Sequence, residues 1–294
     1  MQFTKMEALG NDFVVVDGIN QSLALTPATI RQIADRRAGV GCDQLLIAEP
    51  PAHMAADVRY RIYNADGTEA EHCGNGVRCL ARFLVDRGLT RSERLRIETD
   101  GRITETEVLP DGRVTVDMGV PELDPQRIPF RAPRQELDYR LATSQGERII
   151  GAVSMGNPHA VLAVDDIHTA PVATLGPEIE QHPRFPRRVN VGFMEIHGRD
   201  RIRLRVYERG AGETPACGTG ACAAVVAGRL WDRLDAQVAV ELPGGTLMIQ
   251  WRGSGRSVWM TGAARTVFRG EIDLPPEQAK PHEPSSATRT RRLD

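Results

Sequence analysis

Scarcity narrows the possibilities for this 294-residue sequence before any motif is read. There is no basic excess: 37 Lys and Arg stand against 39 Asp and Glu, a formal net charge of −2. Binding to nucleic acid or to an anionic membrane needs such an excess, so neither partner is expected. No apolar run approaches the roughly 18 residues of a membrane-spanning helix. Met1–Asp17 also lacks the basic-then-apolar order of an export signal, so a cytoplasmic location is expected. Lysine is nearly missing, with only Lys5 and Lys280 present. A pyridoxal phosphate enzyme joins its cofactor to a lysine in its site, so that chemistry has almost nowhere to attach. The five cysteines, at 42, 73, 79, 217 and 222, form no Cys-x-x-Cys pair. An odd count without an export signal argues against a disulfide framework. Zinc is not expected either, since His72 directly abuts Cys73. The default for Cys42, Cys79 and Cys222 is burial as small apolar side chains.

What is present is ordinary in bulk and unusual in order. Hydrophobic residues make up 41% of the chain and 28 glycines bring the apolar share into the globular range, with length for about two domains. An internal repeat is the strongest architectural signal. Gly10-Asn11 recurs as Gly156-Asn157, 146 residues later, each before a β-rich run (Phe13–Val16, Ala160–Val164). Tyr63 returns as Tyr207, closing the alternating runs Val58–Tyr63 and Ile202–Tyr207. Cys73-Gly74-Asn75-Gly76 returns as Cys217-Gly218-Thr219-Gly220, 144 residues on. Glu98, Gly101, Gly112, Arg113 and Gly119 answer Glu241, Gly244, Gly255, Arg256 and Gly262 at an offset of 143. A few loop deletions explain that drift.

Each copy reads as strands around one longer helix. Strand candidates are Leu45–Ala48, Leu95–Thr99, Val114–Met118, Val238–Leu242 and Val258–Met260. One helix is predicted after Gly76, with Val77, Leu80, Ala81 and Leu84 on one face. Its counterpart follows Gly220, with Ala223, Ala224, Ala227 and Leu230. A shorter helix is predicted over Ala28–Arg37, with Pro27 suited to its first turn. The class is α+β: two pseudo-symmetric domains, each a strand-rich curved sheet or barrel around a central helix. Residues 1–118 would form the first, completed by about 263–274, and 119–262 the second. The segment 275–294, rich in Pro, Ser, Thr and Arg without apolar periodicity, is expected to be disordered and dispensable.

Cys73 and Cys217 each stand before a Gly-x-Gly turn that opens a helix. The first amides of a helix lack internal partners and lie at the positive end of its dipole. That environment favours a thiolate and seats a carboxylate, with glycines letting a ligand approach the backbone. One such site would read as a helix start with an incidental buried thiol; two in register favour function. Domains related by a pseudo-twofold would place a cysteine on either side of a ligand. Inverting a carbon without a cofactor needs that arrangement, one base removing the proton and one acid returning it from the opposite face. Gly218-x-Gly220-x-x-Ala223 fits the loose dinucleotide fingerprint, but no strand–turn–helix–strand crossover surrounds it, and nucleotide binding is set aside.

Asn64-Ala-Asp-Gly-Thr-Glu…Cys73-Gly-Asn-Gly-Val-Arg-Cys and Glu208-Arg-Gly-Ala-Gly-Glu-Thr…Ala216-Cys-Gly-Thr-Gly-Ala-Cys resemble the diaminopimelate epimerases. Leu9-Gly-Asn-Asp-Phe, Gly41-Cys-Asp-Gln44, Met155-Gly-Asn-Pro-His159 and Arg188-Val-Asn190 extend the likeness from Met1 to about Leu274. The resemblance implies cofactor-independent epimerisation of L,L-diaminopimelate to the meso form, for lysine and cell-wall precursors. It implies Cys73 and Cys217 as the acid and base thiols. Gly74, Asn75, Gly218 and Thr219 would hold the reacting carboxylate. Asn11, Gln44, Asn64, Asn157, Asn190 and Arg209 would bind the rest of the substrate, Arg209 at the distal carboxylate. His159 and Glu208 would tune the thiols and help place the α-amino group. In isolation Asn11 and Asn157 would be turn residues, and Arg209 and Glu208 solvated charges.

Two features depart from that family: a longer tail after about Leu274, and Phe268 where a tyrosine often stands in the dimer contact. A homodimer is still expected. Two competing readings are carried. A related racemase acting on another amino acid would be separated by a racemisation panel including proline. A thiol redox or metal-binding protein would be separated by metal analysis.

Overall fold

A computed structural model of the chain describes residues 1–23, 25–70, 73–99 and 102–274; the predicted disordered tail lies outside the described residues. Seven strands build the first half: β1 (Gln2–Ala8), β2 (Asn11–Asp17), β3 (Gln44–Glu49), β4 (Val58–Asn64), β5 (Arg94–Thr99), β6 (Arg102–Val108) and β7 (Val114–Asp117). They pair in chain order, parallel at β2–β3 and β4–β5 and antiparallel elsewhere. The second half repeats the plan with β9 (Gly146–Ser154), β10 (Pro158–Val164), β11 (Asn190–Gly198), β12 (Arg201–Glu208), β14 (Gln237–Leu242), β15 (Gly245–Trp251) and β16 (Val258–Gly262). Its parallel pairs, β10–β11 and β12–β14, fall at the equivalent places. Register repeats too: Phe13 opposes Gln44 in one half as His159 opposes Asn190 in the other. A short β13 (Gly212–Thr214) turns back on β12.

The halves join where β7 pairs antiparallel with β16, Val116 opposite Met260, and Thr115 and Thr261 share a hydroxyl hydrogen bond of 2.8 Å. Strand β17 (Arg265–Glu271), last in sequence, pairs with β1 of the first half. Strand β8 (Tyr139–Thr143) occupies the matching place beside β9. One helix threads each half. Helix α2 (Gly74–Asp86) packs on β1, β2, β6 and β7, and α4 (Gly218–Leu230) on β9, β10, β11 and β15. The sheet therefore curves around a helix in each half, as the patterning predicts. Val77, Leu80, Ala81 and Leu84 of α2 are buried, and Ala223, Ala224 and Ala227 of α4 likewise. No described helix is long and apolar enough to cross a membrane.

Three helical expectations change. Both central helices begin directly after the cysteines, at Gly74 and Gly218, rather than after Gly76 and Gly220. Close packing overrides the poor helix propensity of glycine there. Helix α1 spans Pro27–Ala34, not Ala28–Arg37. It stops because Asp35 turns its carboxylate onto the amides of Arg37 and Ala38, both at 2.7 Å. Helix α3 (Val172–Glu180) was not anticipated; it carries Pro177 in its interior.

Candidate active site

The candidate residues gather at one end of each half, where strands start or stop. Asn11 opens β2, Gln44 opens β3 and Asn64 closes β4; Asn190 opens β11, Glu208 closes β12, and His159 lies in β10. Cys73 and Cys217 occupy the N-cap positions of α2 and α4 with matching extended backbones, φ −141° and ψ 109° against φ −121° and ψ 107°. The two helix starts converge on a methionine. A Cβ at Gly74 would stand 3.1 Å from the Met260 methyl, and one at Gly218 would stand 3.0 Å from its sulfur. Only glycine lets both helix ends come this close. The β1–β2 turn, Leu9-Gly10, also reaches the second half. Leu9 adopts φ 55°, its carbonyl would lie 2.1 Å from any Cβ at Gly244, and Gly10 abuts Pro215. This docking carries Asn11 into the cleft between the halves.

Around each thiol the halves differ in hydrogen-bond direction. The Cys73 thiol faces Asn11 Oδ1 at 3.7 Å, and Asn11 Nδ2 donates to Asp43 Oδ2 at 2.8 Å. Arg36 holds Asp43 in turn at 2.7 Å. This chain ends in a carboxylate. On the other side buried His159 has its pKa lowered to about 3 by burial and by the nearby Arg209, so its ring is neutral. His159 Nε2 therefore donates to Asn157 Oδ1 at 3.1 Å, because an amide oxygen can only accept. Asn157 Nδ2 donates to Thr219 Oγ1 at 3.3 Å, and Thr219 Oγ1 lies 3.5 Å from Cys217 Sγ. The Gly220 amide donates to the same sulfur at 3.4 Å.

Both thiols ionise less readily than free cysteine, the reverse of what the helix starts alone suggest. Burial is the largest cause at each, and the amides facing them only partly offset it. The charge of Glu208 opposes ionisation of both thiols, and it is the largest cause after burial at Cys217. Gly74 and Gly218, each next to its cysteine, both meet Met260, which brings the two thiols to one junction between the halves. Thr214 fixes the Glu208 carboxylate, its hydroxyl donating to Oε1 at 2.5 Å.

Polar side chains for a longer ligand surround this centre. Gln44 Nε2 donates to Asn64 Oδ1 at 3.0 Å, and Gln44 Oε1 is buried without a partner among the described residues. Asn190 is buried and accepts the Arg209 amide at 2.8 Å, while the exposed Arg209 guanidinium donates to the Arg187 carbonyl at 3.1 Å. Asn75 is buried and its Oδ1 accepts from Arg78 at 2.8 Å. Phe268 lies away from this cluster on β17, edge-on to Phe3. Lys5, the only described lysine, is buried with its ammonium on Asp12 at 2.5 Å and on the Gly41 carbonyl. Cys217 and Cys222 stand in a Cys-x4-Cys spacing, but Cys222 is buried in the core, as are Cys42 and Cys79. Among the described residues no three His, Cys, Asp or Glu side chains group as metal ligands.

Sequence reasoning left Asp43, Thr214, Met260 and Arg78 without roles. Arg78 alone carried a signal, a charge on the apolar stripe of α2 beside Val77 and Ala81.

The family model for diaminopimelate epimerase matches residues 3–123 and 151–267. A diaminopimelate epimerase from Halorhodospira halophila (strain DSM 244 / SL1) is 78% identical over 279 residues, 95% of this chain and 97% of that one. Its namesake from Alkalilimnicola ehrlichii is 61% identical over 276 residues, covering 93% and 99%. Among solved structures, a hydroxyproline epimerase from Agrobacterium vitis superposes with TM-score 0.64 at 20% identity, covering 92% and 91%. A phenazine biosynthesis protein from Bacillus anthracis gives 0.66 at 17%, covering 93% and 99%. These structural likenesses concern the fold alone.

Proposed function

This chain belongs to the diaminopimelate epimerase family, and from that premise we propose that it converts L,L-2,6-diaminopimelate to the meso form without a cofactor. One of Cys73 and Cys217 removes the α-proton as a thiolate while the other delivers a proton from the opposite face as a thiol. The observation that carries the reading is two helix-capping cysteines whose helix starts both meet Met260. The paired helix starts suit the α-carboxylate, whose charge they also favour as the α-proton leaves. Buried Lys5, held by Asp12, is poorly placed to carry a pyridoxal Schiff base. The test is α-proton exchange from diaminopimelate in D2O with no added cofactor. Deuterium should enter the α-position with loss of configuration, and proline should stay inert. Exchange from proline alone, or only on adding metal or pyridoxal phosphate, overturns the reading.

Asn11, Gln44, Asn64, Asn157, Asn190 and Arg209 complete the proposed substrate site, with Arg209 at the distal carboxylate. A guanidinium makes two parallel hydrogen bonds to a carboxylate and an ammonium cannot. Arg209→Lys is therefore expected to lower kcat/KM on the order of tenfold or more, the scale of one charge-assisted hydrogen bond. Unchanged kinetics would remove Arg209 from the site. A cytoplasmic homodimer belongs to the same proposal. Val267 and Phe268, 52% and 46% exposed on β17, offer it an apolar contact.

A further inference from the structure

Arg78 is a fully buried arginine whose partners among the described residues are all neutral. Its Nη2 donates to Asn75 Oδ1 at 2.8 Å, its Nε to the Ala263 carbonyl at 3.3 Å, and its Nη1 meets Met260 Sδ at 3.6 Å. The second half leaves room for it: a Cβ at Gly262 would stand 3.1 Å from Nε and 3.2 Å from the guanidinium carbon. Helices α2 and α4 each begin one residue after their cysteine, so Arg78 and Cys222 hold the same place on the two. The pseudo-symmetry therefore breaks here. Cys222 is buried at the equivalent place on α4, so the position itself does not demand a charge and packing alone does not account for arginine.

We propose that Arg78 is a positioning residue, whose buried guanidinium fixes the Asn75 amide at the proposed carboxylate seat and sets a positive charge five residues along the chain from Cys73. This inference rests on the two-thiol reading above. Its geometry joins the site on both sides: Asn75 follows Cys73 by two residues, and Met260 is the side chain on which Gly74 and Gly218 converge. The charged and titratable neighbours of Arg78 are Cys73 and Cys79 on α2, Cys222 on α4 and Glu7 on β1. Cys73 also faces Tyr60 of β4 and Glu208 of β12. Glu7 is engaged by Arg265 at 3.1 Å and Glu208 by Thr214. Arg78 favours the Cys73 thiolate, with the amides of Asn75 and Gly76, against burial and Glu208. A charge acts strongly at such depth because little water screens it.

The test reads thiol ionisation without substrate, as the pH dependence of Cys73 alkylation by iodoacetamide, followed by peptide mass on the full chain. Arg78→Gln keeps one amide donor but removes the charge, shortens the side chain and gives up the contacts to Ala263 and Met260, so the charge is isolated by comparison with Arg78→Lys. It should slow Cys73 alkylation near neutral pH by about tenfold, equivalent to raising its midpoint by about one pH unit. Cys217 should change less, and Arg78→Lys should restore most of the rate. The acid limb of kcat/KM should move upward with the alkylation midpoint. A Gln variant that alkylates like the wild type, or a Lys variant as slow as Gln, overturns the proposal. Should the Gln variant not fold, the Lys variant decides: a displacement of a full unit despite the retained charge also overturns it. Failure of the two-thiol reading has a different signature, no α-proton exchange by the wild type while the alkylation shift persists.

Discussion

Serine in place of Cys73 or Cys217 should lower epimerisation of diaminopimelate by roughly a thousandfold, within the range that one positioned acid or base contributes. A hydroxyl is a far weaker acid than a thiol and does not supply an anionic base near neutral pH. Each variant keeps one thiol, and that thiol can act on the enantiomeric centre whose proton faces it. Slow α-proton exchange should therefore survive with one configuration in Cys73→Ser and with the opposite one in Cys217→Ser. Proton exchange followed by mass and chiral separation reads both at once. The wild type should show a bell-shaped pH profile, because the dithiol and dithiolate states are both unproductive. Burial raises both thiols, so the acid limb should lie to the alkaline side of where free cysteines would put it. If both serine variants prefer the same enantiomer, or one keeps near-normal activity, the two-base assignment is wrong.

Much of this site was legible because the repeat is written in residues that are individually ambiguous and jointly informative. Asn11 alone is a turn asparagine; paired with Asn157, which stands just before β10 as Asn11 opens β2, it becomes a candidate site residue. Strands with apolar alternation, such as Val238–Leu242, were read from the sequence. Strand β6 was missed because buried Thr104 and Thr106 fill inward positions that the apolar pattern leaves blank. Strand β17 was not read because most of it is exposed and its place is set by pairing with β1, far away in sequence. Thiol ionisation was misjudged for a related reason: a helix start is visible in Cys-Gly-x-Gly, whereas the depth at which it lies is not. Burial then outweighs the helix amides at both sulfurs. The orientation of Asn11 by Asp43, and of Asn157 by His159, was equally out of reach. Asp43 and His159 hold different places in the repeat, so no offset connects them.

Replacing Glu208 with glutamine should separate thiol reactivity from catalysis in opposite directions. Glu208 opposes ionisation at both thiols through its charge, and at Cys217 it is the largest cause after burial. Removing the charge lowers the pKa of both thiols, more at Cys217, because an anion no longer faces the nascent thiolate. Alkylation of Cys217 at fixed pH should therefore accelerate, by about tenfold if the midpoint falls one unit. The acid limb of activity should move to lower pH for the same reason. Epimerisation should nevertheless fall, because the proposed role of this carboxylate is to hold the α-ammonium of the substrate. A lost charge-assisted hydrogen bond costs about 1.5–3 kcal/mol, or roughly tenfold to a hundredfold in kcat/KM. The Thr214 hydroxyl can still donate to the new side-chain oxygen, so the strand end should keep its place. A variant with faster Cys217 alkylation and slower turnover separates the two roles of Glu208. Slower alkylation would mean that Glu208 does not act electrostatically on Cys217, and unchanged turnover would remove it from the substrate.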